Sequence, residues 1–454
     1  MGGGGGTPGL GWFGILRLGL VQTALGAIVV LTTSAINRVM VVELALPATL
    51  PGVLVAVHYA VQMLRPRMGY GSDIGGRRTP WIIGGMAVLA AGGVLAACAT
   101  ALMEHAEAAG LALSLLAFLL IGLGVGAAGT SLLVLLAAVV AERRRPAAAS
   151  LVWIMMIAGF VLTTAITGRL LDPYSGVRLI TVSAGVSCVA LALALVAVWG
   201  IERRHALPAA ARAAVAEEGP RTPFRQALAE VWAERDARRF TVFVFLSMLA
   251  YSAQDLILEP FAGQVFGMTL GETTRLASLQ HGGVLAGMIV IALVGSFASG
   301  TRLGSMRAWT VGGCLAAAVA VLMLTVAGRV GEGYPLRLSY FLLGLANGVF
   351  AAAAIASMMQ MVSRGRERRE GIRMGLWGAA QAIAFGTGSL AGAVALDAAR
   401  AVFSHPVAAY SAVFVGDALL FIAAAWLALG IGASPKARAS GHAAFPPARS
   451  AVGG

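Results

Sequence analysis

Long apolar runs alternate with short polar ones along the whole chain. The runs cover 18–42, 48–66, 80–103, 110–141, 148–171 and 179–201, then 240–262, 276–298, 307–328, 338–362, 373–396 and 408–432. A helix needs about 20 residues to cross a bilayer, so the pattern predicts an all-α membrane protein with twelve transmembrane helices. The fourth and tenth runs are long enough to require tilt or extension beyond the bilayer. The longest polar stretch, 202–239, separates two sets of six. It predicts an N-terminal six-helix half at 1–201, a cytoplasmic linker at 202–239, and a C-terminal six-helix half with its tail at 240–454. Within the linker Thr222 can cap a helix that has Pro223 at its first position. Phe224, Leu228, Val231 and Trp232 then share a face, as in a helix lying on the membrane surface; a poorly ordered linker is the other reading.

Composition strengthens this picture. Apolar residues make up 59% of the 454-residue chain and charged residues 12%, against about 25% charged in soluble domains. A net charge of +13 could suggest nucleic acid, but the basic residues form no stripe with interleaved aromatics. They gather in loops, and they set the orientation. Arg38, Arg169, Arg178, Arg275, Arg329, Arg337 and Arg400 fall in odd-numbered loops, and the other 26 of the 33 basic residues fall in even loops and tails. The positive-inside bias therefore places both termini in the cytoplasm. Cys98, Cys188 and Cys314 lie inside apolar runs and read as small buried hydrophobes. The glycine-rich start, Met1 to Pro8, carries no charge, and no cleavable signal is expected.

The loop after the second run reads Gly69-Tyr-Gly-Ser-Asp73-Ile-Gly-Gly76-Arg77-Arg78. It resembles the signature loop of the major facilitator superfamily, G-x-x-x-D-[RK]-x-G-[RK]-[RK], with Ile74 where a basic residue is usual. Glycines allow close helix approach and tight turns. The resemblance predicts that Asp73, Arg77 and Glu142 cluster at the cytoplasmic helix ends. An eroded copy, Gly295-x-x-x-Ser299-Gly-x-Arg302, fits two homologous halves. Further stretches are more particular: Asn37-Arg-Val-Met-Val-Val-Glu-Leu44, His58-Tyr-Ala-Val-Gln62, Gln254-Asp-Leu-Ile-Leu-Glu-Pro-Phe261 and Gly375-Leu-Trp-Gly-Ala-Ala-Gln381. From about residue 12 to 432 the chain resembles the PucC family, the bacteriochlorophyll-delivery branch of the major facilitators. Its opening third is most similar to the branch labelled bacteriochlorophyll synthase 44.5 kDa chain. The resemblance implies pigment handling or antenna assembly in the inner (intracytoplasmic) membrane of a phototrophic bacterium. Bacteriochlorophyll would be the bound ligand, and antenna apoproteins or pigment-synthesis enzymes the partners. It implies no catalytic residues.

Polar side chains in hydrocarbon are costly, so each is a functional candidate. Asn37 and Arg38 lie late in the first run, Gln254, Asp255 and Glu259 late in the seventh, and Asp417 inside the twelfth. Asp255 and Glu259, four apart, share a helix face. Aligning Asn37-Arg38 with Gln254-Asp255 through the repeat predicts that Arg38 pairs with Asp255 or Glu259, as an outer gate or pigment-head contact. The alternative puts them at headgroup level, wetted by water. The glycines of Gly122-x-Gly124-x-Gly126 and Gly386-x-Gly388-x-x-x-Gly392 are expected to form packing seams.

Of the six histidines only His58 and His281 lie within apolar runs, in the second and eighth, which the repeat relates. A neutral imidazole suits the axial position of a pigment magnesium, and Gly282 and Gly283 are expected to leave room beside His281. On this reading His58, nearer mid-membrane, is the preferred ligand. The alternative is a pair of core histidines bonded to backbone or to Gln62 and Gln280. The sequence has no phosphate loop, no nucleophile with a placed base and no metal cluster, so no enzyme is expected. Three functions remain open: a pigment-handling assembly factor, an ion-coupled small-molecule transporter, and a structural partner of pigment-synthesis or antenna complexes.

Overall fold

The structure is a computed structural model and describes residues 10–65, 77–141, 144–202, 232–297, 305–364 and 370–431. Among these every regular element is a helix. The first half has α1 (Trp12–Glu43), α2 (Thr49–Gln62), α3 (Thr79–Met103), α4 (Glu107–Val139), α5 (Arg145–Leu170) and α6 (Gly176–Val198). The second has α7 (Arg235–Phe266), α8 (Leu270–Phe297), α9 (Met306–Val330), α10 (Leu336–Arg364), α11 (Glu370–Val402) and α12 (Pro406–Leu429). Eleven are long and apolar enough to cross a membrane; α2 has 14 residues, shorter than its apolar run. Most of the predicted linker lies outside the described residues, as do Thr222, Pro223, Phe224, Leu228 and Val231.

Local chemistry sets the helix ends. Ser175 Oγ accepts the N–H of Arg178 at 3.2 Å, and Ser305 Oγ that of Ala308 at 3.3 Å, each satisfying a donor the first turn leaves free. Prolines open α3, α5 and α12, where the missing N–H costs nothing. Gly267, at φ +65°, ends α7 in the left-handed region that favours glycine. The last third of α1 widens into two π-helical turns, Thr32–Ile36 and Val39–Glu43, which bracket Asn37 and Arg38. Inside α7, Pro260 has no N–H to offer the carbonyl of Leu256. The side chain of Asn37 supplies the donor instead, at 2.7 Å.

Packing follows a pseudo-twofold pattern. The pairs α1·α5, α3·α4, α2·α4, α3·α6 and α1·α6 have counterparts in α7·α11, α9·α10, α8·α10, α9·α12 and α7·α12. The halves meet through α2·α11 and α5·α8. Lipid is as apolar as leucine, so helices associate through close packing of small residues. A Cβ on Gly124 would stand 2.5 Å from the Leu89 nitrogen, and one on Gly283 2.7 Å from that of Leu345. The predicted seams are present: Gly122 abuts the His58 carbonyl, Gly388 that of Leu249, and Gly392 the backbone of Ala253. Each half has its own apolar core, and the cores exchange residues. Val41 and Ala48 pack into the second, and Leu256 and Leu270 into the first.

Candidate functional site

The end of the molecule bearing the odd-numbered loops is closed by polar contacts between the halves. Asp397, late in α11, accepts the N–H groups of Ala48 and Thr49 at 3.0 and 2.6 Å and the Thr49 hydroxyl at 2.6 Å. Its counterpart Asp172, after α5, accepts the Gly271 N–H and the Thr269 hydroxyl, both at 2.8 Å, with Arg275 at 3.9 Å. Each carboxylate thus caps the N-terminus of a helix in the opposite half, where free N–H groups and the helix dipole favour negative charge.

Between these caps lies Arg38, 2% exposed. Arg38 forms its ion pair with Glu43 rather than with Asp255 or Glu259, although its charge still acts on the buried Glu259. It also donates to the Met268 carbonyl at 2.7 Å and packs over Gly263 of α7. The π-helical turn carries Glu43 back toward Arg38 within the same helix, a proximity the repeat alignment could not foresee. Glu259 is buried one turn from Gly263, beside Thr273 and Thr274. Gln264 donates to the Val41 carbonyl at 3.1 Å and accepts from Arg400 at 2.7 Å.

Deeper in the seam the lining becomes aromatic. Tyr59 of α2 stacks on Phe385 of α11, with centroids 5.5 Å apart and planes at 16°. Tyr251 of α7 meets Phe385 edge-on at 5.9 Å. Asp255, one turn from Tyr251, is exposed although Tyr59, Tyr251 and Gln280 surround it, so it faces an opening. Across the pseudo-twofold axis, His281 of α8 lies against Phe160 of α5 at 5.2 Å.

The two histidines are therefore not equivalent. The ring that answers His281 in the first half is Tyr59. His58 turns the other way and bonds Gln62 through Nε2 at 2.7 Å, and Arg65 in turn donates to Gln62. With the Gln62 amide as donor, that nitrogen's lone pair is occupied. Nδ1 is buried without a partner in both histidines, but in His58 it carries the ring proton, because Nε2 accepts from Gln62. Space beside His281 exists at Gly282, where nothing lies within 4 Å. It does not exist at Gly283, whose missing Cβ is what admits α10, and the expectation of room there is corrected.

Of the predicted signature cluster, Gly69, Asp73, Gly76 and Glu142 lie outside the described residues, as does the eroded copy from 298 onward. Arg77 is exposed. The N–H groups of Arg78 and Thr79, which open α3, donate to Glu202 at 2.6 and 2.9 Å. Burial pushes the Glu202 carboxyl up, but these bonds, one from the Thr79 side chain and the Arg78 charge outweigh it and hold it below the ordinary carboxylate range. Gln254 and Asp417 are buried in the second half, away from the seam. Reading the sequence missed Asp172, Asp397, Glu202 and the aromatic rings. Acids next to a helix end were the available signal for the first three; aromatic residues in apolar runs give none.

Two six-helix halves joined through α2·α11 and α5·α8 make this a multi-pass membrane protein of the major facilitator fold. Solved structures agree. A bacterial homologue of the human lysosomal transporter Spinster, inward-facing and unoccupied, superposes with TM-score 0.66 at 15% identity over 92% of this chain and 96% of that one. A peptide transporter POT with sulfate gives TM-score 0.66 at 16% identity, covering 93% and 96%. At such identity the likeness concerns fold alone. The family model for PUCC protein matches residues 35–435, and the chain belongs to that family. It is 52% identical over 422 residues, 93% of this chain and 96% of the relative, to "Bacteriochlorophyll synthase 44.5 kDa chain" of Rhodobacter capsulatus. "Protein PucC" of the same organism is 31% identical, with 90% of each chain covered.

Proposed function

We propose that this protein is a membrane assembly factor that holds bacteriochlorophyll in the seam between its halves and delivers it to light-harvesting complexes. The observation that carries the reading is the chemistry around His281: a buried imidazole nitrogen without a partner, an aromatic ring against it, and open space at Gly282. The 52% identical relative named for bacteriochlorophyll supports the ligand class. When bound, the pigment supplies a magnesium that lacks an axial ligand. His281 would provide that ligand, Phe160 would orient the imidazole, and the Tyr59–Phe385 stack would offer a flat wall opposite. His58 fits less well, because Gln62 already occupies its Nε2. Tyr59, Tyr251 and Phe385 offer flat aromatic faces suited to holding a planar ring, and the reading is of a carrier. Antenna apoproteins or pigment-synthesis enzymes would be the partners, in the inner membrane with both termini cytoplasmic.

The test is the absorption spectrum of the protein purified in mild detergent from a pigment-making host. Wild type and His58→Leu should retain pigment, and His281→Leu should lose most of it. No pigment in wild type, or equal pigment in all three, overturns the reading. A second reading, an ion-coupled transporter, is favoured by Asp255, an exposed acid in the seam. Under it, Asp255→Asn would abolish proton-driven flux and leave pigment content unchanged.

A further inference from the structure

The second half holds three buried polar side chains that the seam does not use. Gln254 on α7 and Asn347 on α10 are fully buried, and Asp417 on α12 is 3% exposed. Both amide atoms of Gln254, both of Asn347 and Oδ2 of Asp417 have no hydrogen-bond partner. Buried polar atoms are nearly always bonded, because leaving one unmet costs the full desolvation penalty. These five atoms lie on α7, α10 and α12; α7 packs against α12, and α10 reaches both through Phe350 and Tyr340.

Ring contacts set their depth. On one side Phe350 of α10 meets Tyr251 of α7 at 6.5 Å and Phe421 of α12 at 5.7 Å. On the other side Phe261 of α7 meets Phe414 of α12 at 5.1 Å, and the Tyr340 hydroxyl of α10 donates to the Leu258 carbonyl of α7 at 2.6 Å. Gln254 lies between Tyr251 and Leu258, Asn347 between Tyr340 and Phe350, and Asp417 between Phe414 and Phe421. The spacings of three, four and seven residues keep each on the same stripe as the flanking residues that make these contacts. The three side chains therefore share one level, with aromatic contacts above and below.

Charge decides what belongs there. The described arginines of α7, α9, α10 and α12 sit near helix ends, at Arg235, Arg238, Arg239, Arg307, Arg329, Arg337 and Arg364. None reaches the level of Asp417. An ionised carboxylate in such a place needs a counter-charge. Carboxylate and carboxamide oxygens are hard donors, the kind that ligate alkali and alkaline-earth cations. One carboxylate balances one positive charge, and a divalent ion would leave a net charge in the hydrocarbon.

We propose that Asp417, Asn347 and Gln254 form a buried binding site for a single small monovalent cation, of the sodium kind. The site is separate from the seam, and it does not depend on the pigment reading. The test uses the full-length protein in mild detergent, with sodium chloride exchanged for equimolar choline chloride. Sodium should raise the thermal unfolding midpoint saturably, and ²²Na⁺ should be retained at about one per chain, the stoichiometry that a single carboxylate sets. Asp417→Asn should abolish both effects, and Asn347→Ala should weaken sodium affinity at least about tenfold, as expected on losing one of three ligands. Asp255→Asn, in the seam, should leave both intact. If Asp417→Asn does not fold, ²²Na⁺ retention by wild type and Asn347→Ala decides alone. Identical midpoints in sodium and choline with no retained ²²Na⁺ would mean that water or a proton satisfies the pocket, and would overturn the proposal. So would a sodium response lost in Asp255→Asn but kept in Asp417→Asn.

Discussion

Helices α2 and α8 occupy equivalent places in the two halves, and comparing them separates what the pseudo-symmetry preserves from what it releases. Their N-termini match: each is capped by an aspartate from the opposite half, Asp397 for α2 and Asp172 for α8. Their middles differ. His58 is bound by Gln62 in its own helix, whereas His281 faces Phe160 across the seam beside an open glycine position. A cap serves closure of the odd-loop end and needs only an acid near free N–H groups. A ligand site needs an unspent nitrogen lone pair and room, and the surroundings of His281 supply both. Symmetry here organises the frame, and loss of symmetry makes the site.

The largest effect should come from filling the glycine seam beside that site. Gly283→Leu would drive a side chain into the backbone of α10, where Leu345 N already stands 2.7 Å from the position of a Cβ. Overpacking of this kind costs about 3 kcal/mol, so folded protein recovered from membranes should fall sharply, while Gly282→Ala should leave recovery unchanged. Equal recovery of the two would remove the contrast between a packed and an open glycine.

Next in size is the repair of Pro260. Asn37→Ala should cost about 2 kcal/mol by orphaning the buried Leu256 carbonyl. Adding Pro260→Ala restores an N–H for that carbonyl and should recover most of the loss. A double variant no more stable than Asn37→Ala, measured by thermal unfolding in detergent, would show that Asn37 acts in some other way.

The two caps should differ by a smaller margin. Asp397 accepts four hydrogen bonds, one of them from Arg400 at 3.3 Å, and Asp172 accepts two with a long contact to Arg275. Replacing either by Ala should cost about 1–2 kcal/mol, with Asp397→Ala the more damaging. The reverse order would mean that the α5·α8 contact bears more of the closure than α2·α11.

Smallest is the pH response of the cap at the even-loop end. The folded carboxyl of Glu202 is held below its ordinary range, so its contribution is present above the unfolded pKa and fades as pH falls through the folded one. Glu202→Gln should cost about 0.5 kcal/mol at neutral pH, after allowance for solvent screening, and nothing once the carboxyl is protonated. A gap between wild type and variant that persists in acid would assign the effect to packing. Orientation has its own check: reporter fusions at Glu107 and Gly333 should report the periplasm, and one at Gly219 the cytoplasm.

Apolar run lengths and the residues of the repeat determined the helix count, the all-α class and the packing glycines. Those properties depend on one helix at a time and on the thickness of a bilayer, which the chain encodes locally. The same local logic singled out Asn37, Arg38, Gln254, Asp255, Glu259 and Asp417 as polar residues of apolar runs. It could not pair them. Arg38 found Glu43 because π-helical turns change the register within α1, and Asn37 found Leu256 because Pro260, in another helix 219 residues from Asn37 to the bonded carbonyl, left an acceptor open. His58 and His281 read as equivalents along the chain and diverged in space: Gln62, one turn on in the same helix, occupies a nitrogen of His58, whereas the surroundings of His281 are assembled only when α8 meets α5. Partners across helices, and the spaces between them, are decided by tertiary packing, since hydrogen bonds and voids depend on angstrom-scale distances between segments that no single segment specifies.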